Sequence, residues 1–530
     1  MPADILLSTV NARYQHAAFG LRYLLANMGD LQGNSQIREF DLTWRPIDIA
    51  GAILAIRPKI LGLGVYIWNL HAITEIAGIL KQVAPEIVIV IGGPEVSYES
   101  EDLPLTALAD FVISGEADLE FPKLCRRILD GTTAPGPSKF ISAPTPDLSS
   151  LCLPYTLYSD QDIANRLVYV EASRGCPFTC EFCLSSLDIP TRQFPLDRFL
   201  AEMQALLDRG LSHFKFVDRT FNLNLRVSQA ILDFFLRQPN KSLFLHFEMV
   251  PDRLPDALRE QIQAFPPGML QFEVGIQTFN PEVAERISRR QNYDKLEENL
   301  RFLHETTHVH IHADLIVGLP GEDLRSFASG FDRLLALKPH EIQVGILKKL
   351  RGTPISRHSE AWGMRYTPVA PYEVLQTSVL SFSELQSLRR FARFWDLNAN
   401  SGRFTKTLPL LWTRVEEPQT ASPFWGFWDF SEWLFLQTGQ THSIALPKLT
   451  ELLLTYLTSV KGIAAELAAA RLLEDFSGIA RKDIPPVLRP YLPEAESQPG
   501  FIGTASSESS SPHPSPSSPH ARRQARHRKS

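Results

Sequence analysis

Glu171-Ala172-Ser173-Arg174-Gly175-Cys176-Pro177-Phe178-Thr179-Cys180-Glu181-Phe182-Cys183 is the stretch around which the rest of the chain is organised. Its three cysteines fall in a C-x3-C-x2-C spacing within one loop-sized segment. Iron–sulfur clusters are held by cysteine thiolates, usually four of them. Three from a single loop leave one iron of a four-iron, four-sulfur (4Fe–4S) cluster without a protein ligand, and that iron can chelate a small molecule through an amine and a carboxylate. The competing reading is structural zinc. Such sites are closed and four-coordinate, whereas the remaining cysteines, Cys125 and Cys152, lie upstream without paired spacing. Cys176, Cys180 and Cys183 are therefore read as cluster ligands, both metal-binding and catalytic.

The chain on either side of this loop alternates between strand and helix patterns. Leu167 to Glu171 reads as a strand running straight into it. Downstream, His213–Asp218, Leu243–Glu248, Gln271–Gln277, His308–Leu315 and Glu341–Leu347 read as strands, with helices such as Leu196–Arg209 and Pro281–Arg289 between them. Six βα units predict a partial TIM-type barrel, in which chemistry sits at the carboxyl ends of the strands. Asp218, Glu248, Gln277 and Asp314 each end a strand. By strict alternation, Leu245 and Phe247 face away from Glu248, and Ile311, Ala313 and Leu315 face away from Asp314. With the apolar side against the outer helices, the polar ends point into the barrel mouth. His308, His310 and His312 share the face of Asp314 at period two. Same-face residues lie about 7 Å apart along a strand, poor geometry for three ligands on one ion, which leaves lumen-lining or packing roles.

Upstream, strands at Asp4–Val10, Ile37–Asp41, Ile60–Val65, Ile87–Ile91 and Phe111–Ile113 alternate with helices at Ala18–Met28, Ile47–Ile56, Ile73–Val83 and Phe121–Leu129. That alternation implies a parallel, doubly wound, flavodoxin-like sheet, whose ligands sit outside the carboxyl ends of the strands. Gly92, Gly93, Gly115 and Glu116 lie at those ends. Glycine there would permit close backbone approach to a ligand. A Pro/Ser/Thr-rich stretch, with Pro135, Pro137, Pro144, Pro146 and Pro154, reads as a linker.

The motifs resemble those of radical S-adenosylmethionine (SAM) enzymes fused to a cobalamin-binding domain, with a C-terminal domain of unknown function. The resemblance rests on the cysteine loop with Phe182 before its third cysteine, on Phe247-Glu248-Met249-Val250-Pro251, on Gly275-Ile276-Gln277-Thr278-Phe279-Asn280 followed by Arg289, and on Asp314-Leu315-Ile316-Val317-Gly318-Leu319-Pro320-Gly321-Glu322. It implies that Glu248, Gln277 and Asp314 contact the ribose and amino groups of SAM, Arg289 its carboxylate and Phe182 its adenine. Asp218, in Phe216-Val217-Asp218-Arg219-Thr220-Phe221-Asn222, stands where the family often has G-G-E and is implied as a further amino contact. In front, Ile91-Gly92-Gly93-Pro94-Glu95 and Val112-Ile113-Ser114-Gly115-Glu116-Ala117 carry the cobalamin resemblance. The D-x-H-x-x-G fingerprint is absent: Tyr14 replaces its aspartate, and Gly20 lies four positions after His16. The implication is either cobalamin with no histidine on cobalt or a front domain without cofactor.

Beyond Gly352-Thr353-Pro354, taken as the barrel exit, the pattern becomes helical. Phe424, Trp425, Phe427, Trp428, Phe430, Trp433 and Phe435 read as helical core or as a substrate clamp, in a domain expected to cap the barrel mouth. The expected α/β organisation is a cobalamin-binding-like domain (1–130), a linker (131–160), a radical SAM barrel (161–360), a mostly helical C-terminal domain (361–494) and a disordered, Ser/Pro-rich basic tail (495–530). The formal net charge of −6 includes five basic residues at the extreme C-terminus, so the body is more acidic still. That argues against a nucleic-acid groove. Five cysteines make no disulfide framework, and no apolar run is long enough to span a membrane. A cytoplasmic location is expected, with an electron donor such as flavodoxin or ferredoxin and a small-molecule or lipid-like substrate. The resemblance implies reductive cleavage of SAM to methionine and a 5′-deoxyadenosyl radical, with methylation of an unactivated carbon as the net reaction. The alternatives are a cobalamin-independent radical rearrangement, cyclisation or sulfur insertion, and a non-catalytic cobalamin- or redox-sensing protein.

Overall fold

In the computed structural model, residues 3–132, 138–413, 422–477 and 483–492 are described. The expected disordered tail, 495–530, lies outside them, as do Pro135 and Pro137. The front domain is a parallel sheet of β1 (Ile5–Asn11), β2 (Ser35–Asp41), β3 (Ile60–Gly64), β4 (Val88–Gly92), β5 (Phe111–Ser114) and β6 (Phe140–Ser142) in the order β2-β1-β3-β4-β5-β6. Both faces of β1 are buried. Leu6 and Val10 pack with Ile49, Ile53, Ile73 and Ile76 on one side; Ile5 and Leu7 pack with Leu21, Phe121 and Leu124 on the other. The chain reverses its winding between β1 and β3, and a crevice opens at such a switch point.

Residues 131–160 depart from the expected linker. β6 lies within them and extends the sheet, with Ile113 paired to Ile141. Three residues flanked by prolines carry too little periodicity to register as a strand; the exposed ladder of β5 recruits them. Leu148, Leu151, Leu153, Tyr155 and Tyr158 of the same stretch are buried against the barrel core.

The second sheet contains β7 (Val168–Val170), β8 (His213–Phe216), β9 (Phe244–Met249), β10 (Leu270–Gln277), β11 (His310–Val317) and β12 (Glu341–Ile346), parallel and neighbouring in chain order. Phe214, Phe216, Leu245, Phe247, Phe272, Ile311 and Ala313 are fully buried towards the outer helices. The alternate positions hold Lys215, His246, Glu248, Glu273, His312, Asp314 and Glu341, so the lumen is polar. Both sheet edges are covered. At β7, Leu167 N–H donates to Gln15 O (2.8 Å) and His16 pairs with Leu167 as a β-bridge. At β12, the Asn400 side chain accepts from Ile342 N–H and donates to Ile342 O, both at 2.9 Å.

The C-terminal region is helical: α1 (Phe382–Asn398), α2 (Pro423–Thr438), α3 (Leu446–Thr455) and α4 (Ala465–Asp475). α1 packs on β12, and α2 packs on the barrel helix Leu324–Ala336. The region thus buttresses the last βα unit, where it was expected over the barrel mouth. Phe424, Phe427 and Phe430 are fully buried. Phe424 lies 4.7 Å from the ring of Phe391 and 5.7 Å from that of Phe331, so these aromatics are core rather than a clamp. Among the described residues no helix is long and apolar enough to cross a membrane.

Candidate active site

The cysteine loop is held at both ends. Ser173 and Arg174 form a short antiparallel ladder with Arg192 and Gln193. Gly175 has φ +86°, and a Cβ there would lie 2.7 Å from Asp188 O. Asp188 O in turn accepts from Cys176 N–H at 2.9 Å. Buried Glu181 accepts from Ser288 Oγ (2.8 Å), His358 Nε2 (2.7 Å) and Arg357, tying the loop to the segment beyond the barrel. Cys176 and Cys180 are buried and Cys183 half-buried; none is in a disulfide. Burial pushes the Cys176 thiol up. Among the described residues no three His, Cys, Asp or Glu side chains are gathered closely enough to hold a single metal ion.

All three cysteines line one cavity of about 160 Å³ with Phe182, Glu248, Gln277, Arg289 and Asp314. These residues come from the loop, the ends of β9 and β10, the middle of β11, and the turn after the helix Pro281–Arg286. A register shift between Gly275 and Gln277 puts Gln277 at φ +73° and turns its side chain inward. A Cβ at Gly275 would lie 2.5 Å from Gln277 Nε2, so a larger residue there would have to displace that side chain. Arg289 donates to Gly275 O, and its Nη1 lies 3.5 Å from Cys180 Sγ. Gln277 Oε1 and Arg289 Nε are buried without a hydrogen-bond partner in the protein, and Asp314 Oδ1 has only the ion-pair contact with His312 Nε2 at 3.4 Å. Buried polar atoms are normally paired, so this cavity is lined by groups that await a polar ligand. The Phe182 ring, the carboxylates of Glu248 and Asp314 and the Arg289 guanidinium suit a ligand with an adenine, hydroxyls, a cationic centre and a carboxylate. Three thiols in one loop suit a cluster with one open iron.

Two lining residues were not singled out in the sequence. Glu273 stands two residues before Gly275 on the same face, so its period-two relation to Gln277 could have marked it. Its Oε2 lies 2.9 Å from His246 Nε2. Burial alone would raise this carboxyl, but His246, Lys215 and His312 bring it down to about 2. Arg219, beside Asp218, donates to Glu248 Oε1 at 2.7 Å; burial raises the Glu248 carboxyl and Arg219 opposes it.

Asp218 does not line this cavity. Its carboxylate accepts from Ala172 N–H (3.0 Å) and Ser173 Oγ (2.5 Å), holding the base of the cysteine loop from behind. Burial pushes it up to about 7. The histidines also separate: His308 is exposed and precedes β11, His310 Nε2 lies 3.1 Å from Glu341 Oε1, and His312 stands beside Asp314.

A second cavity, about 280 Å³, opens at the β1/β3 switch point and is lined by Tyr23, Tyr66, Gly92, Gly93, Gly115 and Glu116, together with Glu171 and Arg174 from the barrel side. Its glycines answer to packing. A Cβ at Gly93 would lie 2.5 Å from Val65 O, and one at Gly115 would lie 3.1 Å from Ala143 O. Gly93 and Gly115 are thus required by packing within the protein, and they still line the cavity together with Gly92. The Glu116 carboxylate is committed to Arg174 (2.8 Å) and Arg192. His16 does not line the cavity; its Nδ1 lies 2.5 Å from Tyr169 Oη at the barrel edge. A corrinoid is much larger than this cavity, which would hold only part of one.

Comparison with known proteins matches residues 6–124 to the B12 binding domain, 170–333 to the radical SAM superfamily and 360–489 to a protein family of unknown function, DUF4080. The chain is a B12-binding radical SAM protein with a C-terminal domain of unknown function. The cobalamin-dependent radical SAM methyltransferase TokK of Streptomyces tokunonensis is 24% identical over 353 residues, 60% of this chain and 51% of TokK. The chain spans about half the length of the curated relatives it matches. Among solved structures, the radical SAM methyltransferase TsrM of Kitasatospora setae, with tryptophan and a SAM analogue bound, superposes with TM-score 0.57 at 18% identity, covering 71% of this chain and 80% of TsrM. The cobalamin-dependent SAM radical enzyme OxsB superposes with TM-score 0.58 at 12% identity, covering 90% of this chain and 79% of OxsB. At these identities the likeness is one of fold.

Proposed function

We propose that the protein is a radical SAM enzyme that methylates an unactivated carbon, using a 4Fe–4S cluster on Cys176, Cys180 and Cys183 and cobalamin at the front domain. When bound, the cluster supplies the electron that cleaves SAM, and cobalamin supplies a transferable methyl group. The observation that carries the reading is the convergence of three free thiols with unpartnered Gln277 and Arg289 atoms and the Asp314 carboxylate in one cavity. Arg289 faces a carboxylate, Asp314 and Glu273 face cationic or hydroxyl groups, and Phe182 offers a ring face. The polar lumen behind them and the loop before them exclude bulk water. TokK, TsrM and OxsB, as their names state, are radical SAM or cobalamin-dependent radical SAM enzymes, which supports the cofactor set. A one-electron donor such as flavodoxin or ferredoxin completes the system. A cobalamin-free radical reaction is the second reading, favoured by the packing role of Gly93 and Gly115 and by the engagement of Glu116.

Anaerobic reconstitution tests both. The wild type should carry about four irons per chain and release 5′-deoxyadenosine from SAM under dithionite, and Cys180→Ala should do neither. Hydroxocobalamin should survive desalting on the wild type, with the same spectrum on His16→Ala. Loss of cobalamin on the column moves the assignment to the second reading; a full cluster on Cys180→Ala overturns the cluster site.

A further inference from the structure

His312 stands between two carboxylates in the barrel lumen, directly behind the SAM cavity. Its Nε2 lies 3.4 Å from Asp314 Oδ1 and its Nδ1 3.5 Å from Glu341 Oε2. Glu341 is fully buried and also meets His310 Nε2 at 3.1 Å. The strand register sets Glu273 of β10 and Glu341 of β12 on either side of His312. Further charged groups face this cluster: His246 of β9 and Lys215 of β8 act through Glu273, and Arg289 faces Asp314. A neutral imidazole carries one N–H and can serve only one of two carboxylates; the imidazolium serves both.

We infer that His312 is a positioning residue: it carries a proton buried behind the cavity, and so keeps the Asp314 carboxylate ionised and aimed at the hydroxyl or cationic groups of bound SAM. The inference rests on the reading of that cavity as the SAM site. Burial works against a charged imidazole, but Asp314 and Glu341 outweigh it and raise His312 to about 10. Burial together with the neighbouring Glu273 charge raises the Asp314 carboxyl, and His312 is the first group opposing that rise. Without the imidazolium, a buried carboxylate beside a like charge takes up a proton at a higher pH. His246 makes the contrasting pair: although bonded to Glu273, its imidazole is lowered by burial.

The test is anaerobic calorimetric titration of SAM into the reconstituted, unreduced full-length protein between about pH 6 and pH 9, for wild type and His312→Asn. The quantity read is the ratio of variant to wild-type affinity, which cancels the titration of SAM itself. That ratio should be smallest in acid and recover with rising pH, by up to about tenfold per pH unit below the shifted Asp314 value. A ratio independent of pH overturns the inference, because a merely structural histidine would scale affinity equally throughout. Glu341→Gln is the second variant and leaves His312 in place with one carboxylate fewer. Because His312 stays protonated in acid there, the ratio of this variant's affinity to that of the wild type should show no acid loss; an acid loss as large as that of His312→Asn also overturns the inference. Absence of SAM binding by the wild type at every pH is a different result, and it overturns the reading of the cavity itself.

Discussion

Asp218 illustrates how a residue in an expected position takes a different task. It lies two residues beyond β8, where the resemblance implies an amino contact, but the chain delivers it beneath Ala172 and Ser173 and away from the cavity. Its carboxyl, buried and pushed up to about 7, binds its proton more tightly folded than unfolded. Stability from this group is therefore complete below about pH 4 and is lost as pH rises through about 7, by an amount on the order of a few kcal/mol. Asp218→Asn keeps an acceptor for Ala172 N–H and removes the titration. The Tm of the wild type relative to Asp218→Asn should fall between about pH 5 and pH 8. An equal Tm difference at both values contradicts the account.

At the scale of elements, the open barrel has two edge strands, and unpaired strand edges invite non-native pairing. One side-chain amide closes the far edge, since Asn400 reproduces on β12 the two bonds a further strand would make. Asn400→Leu leaves the Ile342 N–H and C=O unpaired in a buried place. The expected cost is about 1–3 kcal/mol for each orphaned group. Chemical denaturation should show the loss, and light scattering at elevated temperature should show earlier aggregation. A variant as stable as the wild type would mean that water or another group replaces the amide. Glycine 93 belongs to the same scale: at φ +112°, with Val65 backbone against its Cα, it sets the packing of β4 on β3 before any ligand enters.

Across the whole molecule, front sheet and barrel meet through buried ion networks. Arg22 and Arg166 both pair with Glu39 of β2 and with Asp162 of the stretch before β7, at 2.7 to 3.0 Å. Arg351, beyond the barrel, pairs with Glu95 at 3.1 Å. The Arg166 side chain is 8% exposed, and its two carboxylate partners are 10% exposed. Arg166→Met removes one cation from this network and leaves the buried charges under-compensated, for about 3–5 kcal/mol. The expected outcome is a lower Tm for front domain and barrel together, followed by calorimetry; separate melting of one part would show that the network does not join them. Glu116, on the wall of the front cavity, is tied to Arg174, which also lines that cavity and stands two residues before Cys176 in the chain.

The residues from 171 to 183 and the strand-end motifs at 248, 275–277 and 314–322 were legible in the sequence alone. Spacing within one loop and alternation along one strand are local properties: the first puts three thiols in reach of one another, and the second decides which face carries Glu248 or Asp314. The same locality explains the strands: those of the barrel alternate apolar and polar residues at period two, and those of the front sheet are short apolar runs buried on both faces. β6 was not legible, because its pairing depends on a neighbour that its own three residues do not encode. The destination of a side chain was not legible either. Ser173 lies 45 residues before Asp218 and Tyr169 lies 153 after His16, while Glu95 and Arg351 are 256 apart. Each contact satisfies a buried polar group with whatever the packed structure brings alongside, and only the tertiary arrangement decides what that is.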